Sequence, residues 1–215
     1  MKRKLFCILL SFIMLFSMTG AQADINNFYL RTRYGKLMLY ENLVFNYAIG
    51  VYGGFYMYSD DQLKSLWESS NREDSQDEVY DFRHWLSPDR TYGFQVQVKE
   101  QTYASFEEEV KNAPNYIAVA GSALEEAGYT NVRQLHDGIL RDTPEGQMLE
   151  TAYTFDLPYD NGSVMHITVV YYDCYYLGIE YIFEITAYNG DYETAQYLLD
   201  EMVKTVDIWP AGAVR

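Results

Sequence analysis

The chain is poor in cysteine, histidine, proline and positive charge. Two of its 215 residues are cysteine, Cys7 and Cys174. Cys7 sits in an apolar N-terminal run. If that run is removed, no disulfide can form within the chain, and the core alone must hold the fold. The three histidines, His84, His136 and His166, show neither H-E-x-x-H nor a neighbouring cysteine pair. No metal ligand or cofactor site is assigned on that pattern. A glycine-rich phosphate loop and a G-x-S-x-G elbow are also missing, so no catalytic residue is named. Lys and Arg number 16 against 31 Asp and Glu, a net charge of -15. So acidic a chain disfavours nucleic acid and anionic membranes as partners.

Long apolar runs are missing too, except at the start. Lys2, Arg3 and Lys4 precede apolar residues 5–16, and Ala21 and Ala23 form an A-x-A pattern. These are the three parts of a secretory signal peptide. The run is short of the roughly 20 residues that span a bilayer. The expectation is a signal peptide over 1–23 and a bacterial product that is secreted or extracytoplasmic, with no integral membrane span after cleavage. Losing three basic residues would take the charge to -18. Residues 24–215 suit a single α+β domain.

What the chain has in plenty is tyrosine, 22 of them. Residues 28–58 mix Tyr, Phe, Val and Leu with Gly35, Gly50, Gly53 and Gly54, which predicts strands and tight turns. Ser59 and Gln62 form a capping box before a helix whose Leu63, Leu66 and Trp67 share a face. Residues 69–81 have little to bury and read as an exposed acidic loop or a loose helical extension. Over 91–103, Phe94, Val96 and Val98 alternate with Gln95, Gln97 and Lys99, a strand with one wet face. Ser105 and Glu108 cap a second helix, which Pro114 interrupts. Ile117, Ala120, Leu124 and Ala127 then recur at helical spacing up to Gly128. Strands follow, with Asn161-Gly162 as a hairpin turn. Ala195, Leu198, Leu199, Met202, Val203 and Val206 mark a closing helix. The order predicts an antiparallel β-sheet flanked by helices.

Eight tyrosines fall within 151–190. Ile179, Tyr181, Phe183, Ile185 and Ala187 should face the helices. Glu180 and Glu184 make the opposite face at least partly wet, because unpaired carboxylates are costly to bury. In YYDCYY, strand alternation cannot send Tyr171, Tyr172, Tyr175 and Tyr176 all inward. Some belong at a rim, where a phenol packs and still reaches water. These four are the candidate recognition surface.

Other polar groups carry plainer readings. Asp81, Arg83, His84, Asp89 and Arg90 surround Trp85 and suit a packed indole flanked by surface charge. His136-Asp137 is the one adjacent pair that could orient an imidazole. His166 and Cys174 lie too far apart along one strand to act together, so Cys174 reads as an unreactive thiol.

The segment from the Asn-Gly turn through VMHITVVYY and LGIEYIFEITAY to DYETAQYLLDEMVKTVDIW resembles the end of the PsbP-like (Mog1/PsbP) sandwich proteins. The helical block 105–127 fits the same pattern, so the likeness spans about residues 91–209. The resemblance implies an α-β-α sandwich and a non-enzymatic binding or assembly role, with no catalytic residues to carry over. The partner would be an envelope or secreted protein, or a carbohydrate. The alternatives are a small extracytoplasmic hydrolase using carboxylates the sequence does not single out, or a carbohydrate-binding module.

Overall fold

The computed structural model describes residues 33–69, 79–116, 121 and 124–210, with the side chains of residues 66–69 left aside. The signal-peptide reading over 1–23, most of the acidic loop, and Ile117 and Ala120 lie outside the described residues, as do the side chains of Leu66 and Trp67.

Eleven strands are described: β1 (Leu37–Asn42), β2 (Tyr47–Tyr52), β3 (Tyr56–Met57), β4 (Val79–Leu86), β5 (Tyr92–Glu100), β6 (Thr130–Gln134), β7 (Ile139–Thr143), β8 (Gly146–Pro158), β9 (Val164–Tyr176), β10 (Ile179–Ala187) and β11 (Asp207–Ile208). The helices are α1 (Asp60–Ser69), α2 (Phe106–Asn112) and α3 (Tyr192–Val203). A 3-10 turn at Ala113–Asn115 follows α2, where Pro114 ends the α-helical pattern.

The large sheet runs β3-β4-β5-β10-β9-β8-β6, with β7 also on β8, and its described pairings are antiparallel. A second, three-stranded sheet, β1-β2-β11, was not foreseen. It forms because the chain beyond α3 returns to pair Ile208 with Tyr47. All six residues of β2 are buried.

The first capping box forms, and of the second only the Ser105 half is seen. Gln62 N donates to Ser59 Oγ and Ser59 N to Gln62 Oε1, while Glu108 N donates to Ser105 Oγ. Asp191 caps α3 by accepting from Thr194 N at 3.1 Å. The buried stripe of α3, Ala195, Leu198, Leu199, Met202 and Val203, packs with Tyr181, Phe183, Ile185 and β2 in one core. Residues buried at this depth contribute about 1.5–3 kcal/mol each.

The opposite face of the sheet departs from expectation. Phe155, Ile167, Val169, Tyr171 and Ile182 form a second core, packed with Tyr116, Leu124 and Tyr129. With both faces covered, β9 from Ile167 to Cys174 and β10 from Glu180 to Phe183 have no wet side. Glu180 is buried rather than wet, because Lys99 Nζ pairs with it at 3.2 Å and Thr102 N donates to it at 2.7 Å.

That geometry also corrects the reading of YYDCYY. Tyr171 points into the second core and Tyr172 into the first, and both are buried. Alternation needs no rim when each face has its own layer. Tyr175 and Tyr176 are half-buried.

Candidate functional site

Three polar assemblies stand out, and one opens to solvent. The first surrounds Glu150, which is fully buried. It accepts from Arg141 Nε at 2.6 Å, Tyr172 Oη at 3.1 Å, Tyr192 Oη at 3.0 Å and Gln196 Nε2 at 3.0 Å, and it meets His136 Nε2 at 3.1 Å. Burial opposes its ionisation, but the Arg141 and Gln196 bonds outweigh that and hold its carboxyl below the usual range. His136 is therefore oriented by Glu150, not by its neighbour Asp137. The Tyr172 hydroxyl also lies against Asp200 on α3, so its single hydrogen sits between the two carboxyls. Every oxygen is engaged, so this assembly ties α3 to β8 and offers nothing to a ligand.

The second lies under α2. Glu109, Asp173 and Glu180 are 4%, 1% and 2% exposed. Burial, followed by the Glu180 charge, pushes Glu109 up to about 7. Burial, then Glu109 and Glu180, raises Asp173 well above the carboxylate range. Glu109 Oε2 and Asp173 Oδ1 meet no hydrogen-bond donor among the other described residues. A proton held between the two carboxyls accounts for both findings, since two like charges cannot both ionise so close together. Tyr175 belongs here: its hydroxyl accepts from Tyr103 N at 3.1 Å. Its ring lies edge-on to Phe106, centroids 6.1 Å apart. Tyr171 Oη is buried with no hydrogen-bond partner among the described residues, and Cys174 is buried, its thiol pushed up by burial and then by Asp173.

The third assembly lines an open groove of about 680 Å³ at the β6 side of the sheet, formed by Asn131, Val132, Arg133, Thr154, Asp156, His166, Asn189 and Gly190. Asp156 on β8 and His166 on β9 are direct cross-strand partners. His166 Nδ1 lies 2.6 Å from Asp156 Oδ1. Asn131 Nδ2 donates to the other oxygen, Oδ2, also at 2.6 Å. The Asn131 bond and then the His166 bond hold the Asp156 carboxyl below its usual range. An ionised carboxylate only accepts, so Nδ1 must carry the hydrogen. The other ring nitrogen, Nε2, has no partner among the described residues, and the His166 side chain is 67% exposed.

The backbone is shaped around this chain of bonds. The β6-β8 register shifts between Thr130 and Arg133, and within that bulge Asn131 adopts φ 53°. Bulges re-aim side chains and left-handed non-glycine residues store strain, so both cluster at functional sites. Gly190 has φ 73°, and a Cβ there would lie 3.2 Å from His166 Cβ. Thr168 Oγ1 holds the Gly190 carbonyl at 3.1 Å. Asn131, Arg133 and Asp156 have no motif spacing. The one signal was the Asn161-Gly162 turn, about which Asp156 and His166 are equidistant.

The described residues include no group of three or more His, Cys, Asp or Glu placed to hold a metal ion, and no helix long and apolar enough to cross a membrane.

No family model matches the chain, and no curated protein matches it. Solved structures do. Cyanobacterial PsbP (CyanoP) from Synechocystis sp. PCC 6803 superposes with a TM-score of 0.52 at 11% identity, covering 81% of this chain and 93% of that one. The fold is PsbP-like. The Ran-binding protein Mog1p of Saccharomyces cerevisiae follows at a TM-score of 0.48 and 12% identity, covering 80% of this chain and 95% of its own, a level of likeness from which nothing further is drawn. At such identities the PsbP-like match speaks for the fold alone.

Proposed function

We propose that the chain is an exported binding protein, cleaved near Ala23, which takes a small polar ligand into the groove over His166. The observation that carries this reading is the chain of bonds from Asn131 through Asp156 to His166. It fixes an imidazole in one orientation and one tautomer, and leaves Nε2 to a ligand. Preorganised polar groups in a concavity favour binding because little ordering remains when the ligand arrives. The groups beside the imidazole are already engaged: Asp156 by Asn131 and His166, and the Thr154 hydroxyl by the Ile167 carbonyl.

A thermal-shift survey of small polar solutes tests it, with wild type and His166→Ala side by side. At least one solute is expected to raise the wild-type Tm and to lose that effect in His166→Ala. Stabilising solutes that act equally on both proteins would overturn the assignment.

A second reading rests on the β9-β10 turn, where Leu177 follows Tyr175 and Tyr176. Leu177 is 75% exposed and adopts φ 50°, with Gly178 at φ 82°. Two-residue hairpins with both φ positive favour Asn-Gly, and a leucine there is strained. An exposed apolar tip kept at a cost in stability supports a protein contact made by Tyr175, Tyr176 and Leu177, which is what survives of the four-tyrosine surface. Leu177→Asn should leave the fold at least as stable and weaken capture of an envelope partner. Undiminished capture would end this reading.

A further inference from the structure

In the groove one cationic side chain, Arg133, stands near an oriented imidazole, and this chemistry selects a ligand class. Arg133 is exposed and forms no ion pair among the described residues. Its guanidinium lies near enough to Asp156 to lower that carboxyl further. Arg133 is the cross-strand partner of Thr154, and Asp156, two residues along β8, is the partner of His166. The two rows are therefore about 7 Å apart along the strands, and Arg133 on β6 and His166 on β9 flank β8, about 10 Å apart across the same face of the sheet.

Each row asks for a different group. An unpaired guanidinium offers a planar fork that matches a carboxylate. A neutral imidazole with its hydrogen on Nδ1 presents Nε2 as an acceptor, which a ligand hydroxyl can satisfy. Thr154 Oγ1 already donates to the Ile167 carbonyl at 2.7 Å, and so can only accept from a ligand. Asn131 donates through Nδ2, which leaves its Oδ1 as an acceptor. One cation with several acceptors suits one carboxylate with several hydroxyls. The ionised Asp156 in the groove lining opposes a dianion such as phosphate.

The geometry points to a hydroxylated monocarboxylate of the sugar-acid class as the ligand, with its carboxylate on Arg133 and a hydroxyl on His166 Nε2. This rests on the reading of the groove as a binding site. Nothing else in the groove would hold a second negative charge.

The test uses D-glucuronate, D-glucose and inorganic phosphate as probes, titrated calorimetrically into the purified protein near pH 7.5, with the His166 ring followed by NMR. Glucuronate is expected to bind saturably and move the His166 ring signals, with glucose and phosphate weaker by about tenfold or more. Arg133→Gln and His166→Asn should each weaken glucuronate by about tenfold or more. Both should keep the wild-type unfolding midpoint, because neither side chain is part of a core. Glucose or phosphate binding as tightly as glucuronate would overturn the ligand class. So would undiminished glucuronate binding by Arg133→Gln. If glucuronate fails while another solute is lost in His166→Ala, the class falls and the groove stands. If no solute depends on His166, both fall together.

Discussion

Replacing Glu109 by Gln should stabilise the protein, and the gain should depend on pH. Glu109 is 4% exposed, beside Asp173 and Glu180, with only Lys99 to offset three carboxyls. Burial and then Glu180 lift it from the ordinary 4.5 to about 7. Between those two values the folded state holds a proton that the unfolded chain releases. Stability from this group is therefore fully present below about pH 4.5 and falls as pH rises towards 7. A shift of about 2.5 units corresponds to about 3 kcal/mol over the window, shared with Asp173 because the pair titrates together. Gln keeps the shape, carries no charge at any pH, and can donate its amide to the orphan Asp173 oxygen. The variant should match wild type near pH 4.5 and exceed it by about 1–3 kcal/mol near pH 8. Urea unfolding followed by tryptophan fluorescence at both pH values measures this. A variant equally destabilised at both pH values would refute the buried proton, and show that the glutamate is held as an anion by Lys99.

Glu150→Ala should cost about 3–5 kcal/mol, because it leaves Arg141, Tyr172, Tyr192 and Gln196 without their shared acceptor; an unfolding midpoint within error of wild type would contradict the network. Leu199→Asp should destabilise by about 4 kcal/mol or more, from lost packing and a carboxylate facing the core. An unchanged urea midpoint would refute the docking of α3 on β9 and β10.

The parts of the fold that local chemistry dictates were legible. Ser59, Ser105 and the stripe on α3 marked helices because caps and period-3.6 burial are written in adjacent residues. The turn at Asn161-Gly162 marked the β8-β9 hairpin for the same reason. The layer over the second face was not legible. Glu180 and Glu184 argued for water on that side, since the cost of burying a carboxylate is known but its partner is not. Lys99 and Thr102 come from the far end of β5, and the proton between Glu109 and Asp173 has no sequence signature. Tyr171 and Tyr172 were misassigned by the same omission, because one covered face was assumed where there are two. The groove depends on β6, β8 and β9 meeting, and on a bulge that turns Asn131 towards Asp156. His166 was visible as a residue, but its partner was sought along its own strand, towards Cys174, and not across the hairpin.

The account stands on the state of one imidazole. Nitrogen-15 NMR of the His166 ring near pH 8, where an ordinary imidazole is neutral, reads which nitrogen carries the hydrogen. The predicted result is the Nδ1–H tautomer in wild type, with Nε2 unprotonated and shifted when ligand is added. Asp156→Asn should lose this preference. A His166 found mainly as the Nε2–H tautomer, unchanged by Asp156→Asn, would contradict the preorganised groove and the binding role built on it.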